Sequence, residues 1–425
     1  MNRGILSRCG NVDCTDLRGV YLEPREIVPK VFWVGVNDCV KDLFESLWPI
    51  PGGISYNAYT VIGADDVAVI DGVDEHLTYE YIGKIWRVVG DLKKIKYIVI
   101  NHLEPDHHAS TSKLLSLAEN AQVLISPTGA KIVESLYSIP KDRIVEVRDG
   151  DTVSLGDKTL RFIHTPWLHW PETMMTYLEE DGILFSCDAF GSYGALTRGI
   201  FDDEVELNYY IEEAKRYFSN IVSRYSKNVL DAINKVEKLG LKIKVLAPSH
   251  GPIYRKHVDS VVALYRDLSQ PKVCAKVTIV YGSMYGRTEE IVKAVAETFE
   301  KSGVAVDLID AARVHPSYIL HLTWNSGAVI FAFPTYDASV FPPVKEVMNY
   351  FYVKQYGRGR LAAILNTFSW GPSVKEAIET LSKSGFQIVE PVIVTKSQPT
   401  SEDKKKIGEL VEKLVAELGK LGSCS

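Results

Sequence analysis

The stretch N-H-L-E-P-D-H-H, Asn101 to His108, follows directly on the apolar run Y-I-V-I and crowds ligand-type side chains into one turn of chain. An apolar run that ends in such a knot reads as a buried strand delivering its loop to a site. Side chains alternate along an extended chain, so His102, Glu104 and Asp106 share one side, and Pro105 biases Glu104 away from helix. Working outward, His107 belongs to the same knot, and His169, Asp188 and His250 each follow a further strand-like run. Four imidazoles and three carboxylates suit two oxygen-loving cations better than a single zinc ion, whose structural sites prefer thiolate and imidazole.

At 425 residues, with 46% hydrophobic and 24% charged side chains, the chain has the composition of a globular protein of two domains, each able to bury its own core. A formal net charge of −6 provides no basic field for a phosphate backbone, so nucleic acid is not an expected partner. The first residues, M-N-R-G-I-L-S-R-C-G, lack the apolar centre of a secretory signal. No run approaches the roughly 20 apolar residues of a membrane helix, and the expected location is cytoplasmic. Six cysteines, Cys9, Cys14, Cys39, Cys187, Cys274 and Cys424, form no C-x-x-C pair. That argues against a rubredoxin-type iron site within the chain and against a disulfide framework, and Cys9 and Cys14 receive no function.

Residues 1–27 show no periodicity and read as an extension. From residue 28 short apolar strands alternate with turns at 31–36, 59–63, 67–72, 97–101, 122–126, 160–164, 183–187 and 243–247, with helical spacing at 77–88 and 112–118 and one long helical segment from Glu206 to Leu239. This predicts an α/β sandwich over 28–268. The rhythm breaks in a linker, 269–275, and restarts over 276–425 as strand, helix, strand: strands at 277–281, 305–309, 328–333, 361–365 and 388–394, and helices at 288–302 and from Ser401. Such alternation predicts a doubly wound parallel sheet. Lys404 to Lys406 read as a solvated helix face.

The segment Y-G-S-M-Y-G-R-T (281–288) ends a strand and opens a helix. Its main-chain N–H groups, with Ser283 and Thr288, suit a phosphate, and Gly286 permits the turn. The loops Pro334-Thr335-Tyr336-Asp337 and Thr367-Phe368-Ser369-Trp370-Gly371 follow two further strands, at the edge where a doubly wound sheet binds its ligand, and their aromatic content suits a planar ring. No G-x-G-x-x-G points to a dinucleotide.

The pattern H-x-E-x-D-H, with 62 residues from His107 to His169, 19 to Asp188 and 62 more to His250, resembles the flavodiiron proteins, a branch of the metallo-β-lactamase fold. The words L-H-W-P-E (168–172), F-S-C-D (185–188) and P-S-H-G (248–251) agree, and the resemblance covers about residues 28 to 420. It implies an N-terminal metallo-β-lactamase-like αββα sandwich followed by a flavodoxin-like domain. His102, Glu104 and His169 would hold one iron, Asp106, His107 and His250 the other, and Asp188 would bridge them. Glu104 stands where hydrolases of this fold usually have histidine, and a carboxylate there favours redox iron over zinc.

By the same resemblance, Ser283, Met284, Tyr285, Gly286, Arg287 and Thr288 would take the phosphate of FMN, and the two later loops its isoalloxazine, with Trp370 or Tyr336 stacked on it. The implied activity is reduction of dioxygen to water or of nitric oxide to nitrous oxide. Electrons would come from an external donor such as rubredoxin or a reduced deazaflavin coenzyme, and the working unit would be a head-to-tail homodimer or a tetramer.

One departure is local. Where many relatives carry D-F-H-G, this chain has L-F-E-S (43–46), which makes Glu45 a candidate pocket residue. His164, on a strand leading to the site, is a candidate hydrogen-bond partner of a ligand. His108 adjoins a ligand but the family pattern does not use it, His76, His257, His315 and His321 have no companions at ligand spacing, and all five are set aside. Two other readings are a zinc hydrolase fused to a flavodoxin-like module, which metal analysis would reveal, and an electron carrier with an inert first domain, which would not react with either gas.

Overall fold

The computed structural model describes residues 23–270, 272–396 and 399–422. Cys9, Cys14 and Cys424 lie outside them. Internal contacts divide the chain after Gln270 into two units.

In the first unit a seven-stranded sheet runs in the order Arg25–Val28, Val31–Trp33, Tyr59–Ile62, Val67–Ile70, Ile95–Ile100, Gln122–Ile125, Ile144–Glu146. Its first four strands pair antiparallel and the remainder parallel. A five-stranded sheet of Thr152–Ser154, Thr159–His164, Met174–Leu178, Ile183–Cys187 and Val245–Pro248 packs on it through a core that includes Val61, Ile70, Val99, Leu124, Phe162, Met174 and Phe185. The helices Thr78–Val89, Leu207–Tyr217, Ser226–Lys238 and Val258–Ser269 belong to this unit, giving the αββα sandwich of the metallo-β-lactamase fold.

Residues 25–27, read as extension, belong to an edge strand, Arg25–Val28. Met174–Leu178 was not legible as a strand because it is buried on both faces and so lacks the alternation that marks a half-buried one. The single helix expected over 206–239 is interrupted by a π turn, Phe218–Val222, and a 3₁₀ turn, Ser223–Tyr225. There the hydroxyls of Ser219, Ser223 and Ser226 donate back to the carbonyls of Arg216, Ser219 and Ser223, bonds that compete with the helical ladder.

The second unit is a parallel sheet in the order Ala305–Asp310, Cys274–Tyr281, Ser326–Tyr336, Leu361–Phe368, with Gln387–Ile388 and Ile393–Lys396 together on the last edge. That is the flavodoxin-like order. Pro391, which has no N–H for a ladder, lies between the two short pieces where one strand was expected over 388–394. The helix Pro316–Thr323, absent from the sequence reading, lies in the crossover from Ala305–Asp310 to Ser326–Tyr336, parallel strands on either side of Cys274–Tyr281. The closing helix Ser401–Leu418 opens with a capping box between Thr400 and Asp403. Cys274 is disulfide-bonded, which the scattered cysteines did not suggest. No helix among the described residues is long and apolar enough to cross a membrane.

Candidate metal centre and flavin edge

All seven predicted donors sit just past the carboxyl ends of strands, and they converge on one buried pocket. The local geometry at its mouth differs from the extended reading. Glu104 is extended, with φ −60 and ψ 139, but Pro105 takes the first position of a one-turn helix, Pro105–His108, as proline prefers. The turn is held by the N–H groups of His107 and His108 donating to the Glu104 carbonyl at 3.0 and 3.2 Å. His102 and Glu104 therefore stay together, while Asp106 and His107 swing to the other half of the pocket.

In the first half, the Glu104 Oε2 lies 3.1 Å from His102 Nε2 and 3.0 Å from His169 Nε2. Asp188 Oδ2 lies 3.4 and 3.3 Å from the same two nitrogens. In the second half, Asp188 Oδ1 is 3.0 Å from His107 Nε2 and 3.4 Å from His250 Nε2, and the Asp106 oxygens are 3.5 and 3.3 Å from those nitrogens. One carboxylate thus turns one oxygen to each half.

These separations match the edges of a polyhedron of donors around a cation: bonds of about 2.1 Å set neighbouring donors about 3.0 to 3.4 Å apart. Both Asp106 oxygens, Asp188 Oδ2, His169 Nε2 and His250 Nε2 are buried without a hydrogen bond, an arrangement that proteins avoid unless something else satisfies the atoms. The electrostatics agree. Burial opposes charge on the imidazoles, yet the Asp106 and Asp188 carboxylates raise His250 to about 10, and Asp188 and Glu104 raise His169 to about 9. Burial likewise opposes charge on Glu104 and Asp188, and the histidines hold both carboxyls low. The pocket calls for positive charge, and its donor set fits two cations.

Supporting residues orient the ligands. His102 Nδ1 bonds the Glu172 carboxylate at 2.8 Å, which also accepts from the Leu103 N–H at 2.9 Å, and His250 Nδ1 bonds the Ser55 carbonyl at 2.8 Å. Each Nε2 is thereby left to face the pocket. Sequence reading missed Glu172, although L-H-W-P-E had been noted; two residues of loop separate it from His169 and nothing local announces its role. Asp71 was also missed: it accepts from the Asn101 N–H and side chain, fixing the start of the ligand loop. His108 is buried between Thr111 and Asp71. His164 turns away, bonding the Val147 carbonyl at 3.0 Å rather than a ligand.

Glu45 is a correction. It is exposed on a tight hairpin, at φ 50, where it accepts from the Trp48 indole, and it is not among the clustered donors. Alternation across the hairpin sends its neighbour inward instead: Phe44 is buried edge-on to His250, with ring centroids 5.3 Å apart. Tyr217 packs on the same imidazole, and Trp170 meets His102 edge-on at 5.1 Å.

In the second unit, the 281–288 segment leads into the helix Arg287–Lys301, with Gly286 at φ 87 as its N-cap. A 15-residue helix whose first N–H groups open onto a glycine turn fits a phosphate. The Thr288 hydroxyl is buried and bonded to Thr367 at 2.8 Å, so it ties the first loop to the third. Thr335 bonds Ser373 at 3.1 Å and joins the second loop to them. Pro334, Thr335 and Tyr336 prove to be the end of a strand that folds back on Ser339–Val340 with Asp337 at φ 46, and Phe368 likewise ends a strand. Ser369 and Gly371 remain in loop. Tyr285 at 90% exposure, Trp370 at 89% and Tyr336 at 43% border this edge. Large aromatics so exposed mark a binding surface, and the edge fits a planar ring with a phosphate tail.

Residues 54–251 match the family described as ODP family beta lactamase, and residues 279–409 match Flavodoxin. The chain is 31% identical to the type A flavoprotein fprA of Rhodobacter capsulatus over 89% of its own length and 88% of the relative's. It is 29% identical to the nitric oxide reductase of Moorella thermoacetica, over 93% of its length and 99% of the relative's. Among solved structures it is similar to the rubredoxin oxygen:oxidoreductase of Desulfovibrio gigas, with a TM-score of 0.89 and 28% identity, covering 94% of this chain and 99% of that one.

A metallo-β-lactamase-like metal domain followed by a flavodoxin-like domain is thus the class that fold and site define. The chain belongs to the flavodiiron family, the A-type flavoproteins.

Proposed function

We propose that this protein is a flavodiiron oxidoreductase that reduces dioxygen to water, nitric oxide to nitrous oxide, or both. The observation that carries the reading is Asp188 turning one oxygen to each of two half-sites, one of which contains the carboxylate of Glu104. The relatives named above, a nitric oxide reductase and a rubredoxin oxygen:oxidoreductase, support both substrates and a rubredoxin-type donor.

His102, Glu104 and His169 would hold one iron, Asp106, His107 and His250 the other, and Asp188 would bridge. Ser283 to Thr288 would take the FMN phosphate, with the loops at 334–337 and 367–371 on its ring. Iron and flavin together would supply storage of reducing equivalents for the reduction of a gas. The chain's own contribution is positional: Glu172 and Ser55 fix two imidazoles, the carboxylates supply the charge that keeps the cations bound, and Phe44, Tyr217 and Trp170 wall the site with rings that exclude bulk water. The proposed working unit is a head-to-tail homodimer, so that dilution to a verified monomer should abolish turnover while both cofactors stay bound.

The test is anaerobic reduction followed by rapid mixing with each gas, following flavin and iron absorbance separately. Reoxidation of both, with iron near two atoms per chain, is expected. FMN-loaded protein whose metal site holds zinc and shows no iron absorbance would refute the reading.

A further inference from the structure

The loop that carries His250 leaves the strand Val245–Pro248 and turns at Gly251, where φ is 76. One residue takes the carbonyls on either side of the histidine. The Asn57 N–H donates to the Ser249 carbonyl at 2.7 Å, and Asn57 Nδ2 donates to the Pro248 and Gly251 carbonyls at 2.9 and 2.8 Å. Its Oδ1 accepts from the Trp33 indole N–H at 2.9 Å, and both side chains are fully buried. These partners fix the amide. With oxygen and nitrogen exchanged, the oxygen would face two carbonyls and the NH2 would face the indole N–H.

The surroundings keep room for this contact and reinforce it. A Cβ added at Gly35 would stand 2.7 Å from Trp33 Nε1 and 2.8 Å from Asn57 Cα. Ser55 Oγ accepts from the Gly251 N–H at 2.7 Å, and the Tyr59 hydroxyl donates to the Pro248 carbonyl at 2.6 Å. A loop has no ladder of its own, so buried carbonyls in it take the place that side-chain donors give them. The Ser55 carbonyl sets the rotation of the His250 ring through Nδ1. The Asn57 amide sets where the main chain of His250 stands, and with it the approach of Nε2 to Asp106 and Asp188, at 3.3 and 3.4 Å.

We propose that Asn57, its amide held by Trp33, is a positioning residue of the second half-site and sets how far His250 Nε2 reaches toward the metal. This role rests on the reading of the pocket as an iron site. Asn57 touches no metal and moves no proton; its effect passes through the carbonyls flanking His250. Ligand distances in such sites are held to within about 0.2 Å, so a small shift of the loop is felt at the metal.

The test uses the full-length protein loaded with FMN and with iron enriched in its Mössbauer isotope. Asn57→Asp keeps the shape and the acceptor for Trp33 but turns a carboxyl oxygen, in place of the NH2, toward the two carbonyls. Iron affinity, measured by competition with a chelator, should fall about 10- to 100-fold, the usual worth of a residue that orients a ligand. At saturating iron the Mössbauer signal of one iron should shift while the other keeps its wild-type position, and FMN content should not change. Trp33→Phe leaves both donors in place and frees only the amide, so a smaller loss with the same shifted signal is expected; this milder variant carries the test if Asn57→Asp does not fold. Because Trp33 acts through Asn57, adding Trp33→Phe to Asn57→Leu should weaken iron binding no further than Asn57→Leu alone. Leu160→Ala, in the core of the same unit, lowers the melting temperature through packing and should leave both iron signals unmoved. Unmoved signals in Asn57→Asp and Trp33→Phe, additive losses in the double variant, or the same shift in Leu160→Ala would overturn the positioning role and leave the functional reading standing. Wild-type protein that binds FMN but no iron would overturn both.

Discussion

In the first unit, seven donors from four loops, as distant in sequence as His102 and His250, are brought together in a largely buried pocket. In the second, three loops at one sheet edge carry exposed aromatic rings, Tyr285 and Trp370 almost wholly in solvent and Tyr336 partly. The difference follows from what each site must hold. Cations held by carboxylates need a dry enclosure, where attraction is strong and every donor must be placed by packing. A flavin that exchanges electrons with an outside donor needs an open face, and a helix terminus with a glycine turn can hold its phosphate locally. The first site should therefore fail as a whole when one buried residue changes, and the second should fade by degrees.

The largest expected effect comes from Asp188→Ala, which removes an oxygen from both half-sites at once. Iron content and gas reduction should drop to background while FMN stoichiometry stays at wild type. Retention of one iron would break the claim that the two halves depend on each other. Glu172→Gln leaves all seven donors in place and weakens only the orientation of His102. Iron affinity or activity should fall about 10- to 100-fold, measured by competition with a chelator. At the flavin edge, Trp370→Ala should weaken FMN binding by about 10-fold, the worth of one stacking contact, as read by fluorescence titration of the apoprotein. Complete loss of FMN would mean that this edge is as cooperative as the metal pocket.

Acid–base behaviour sharpens the same contrast. In iron-free protein His169 and His250 have pKa values near 9 and 10, raised against burial by the facing carboxylates. The unfolded value is about 6.5, so the stabilisation they give is complete below about pH 6.5 and is lost as pH rises through 9 to 10. The melting temperature of the iron-free protein should fall across that window, and that of loaded protein much less. Equal pH profiles for the two would sink this account. The smallest effect is expected from Thr400→Ala, which removes the cap of the last helix and should cost about 1 kcal/mol in denaturant unfolding without changing iron or FMN content.

Much of this was legible in the chain. Apolar strands ending in ligand residues, the two rhythms on either side of the linker and the glycine turn before a helix are local patterns, and local patterns survive in one dimension. Glu45 shows the limit. Its type and position suggested a pocket, but alternation on a hairpin of a few residues decides which neighbour faces inward, and that phase was set by the burial of Phe44. Met174–Leu178 was unreadable for the opposite reason, since a strand covered on both faces carries no alternation.

The amino-acid order by itself determined the class of fold, the seven donors and the loop at 281–288, because each depends on residue type at short spacing. Only the tertiary structure decided that Glu172, Asp71 and Ser55 orient the ligands and that Asp188 divides its oxygens between two halves. Those contacts join residues tens of positions apart, and their partners are chosen by distance in three dimensions, which sequence spacing does not encode.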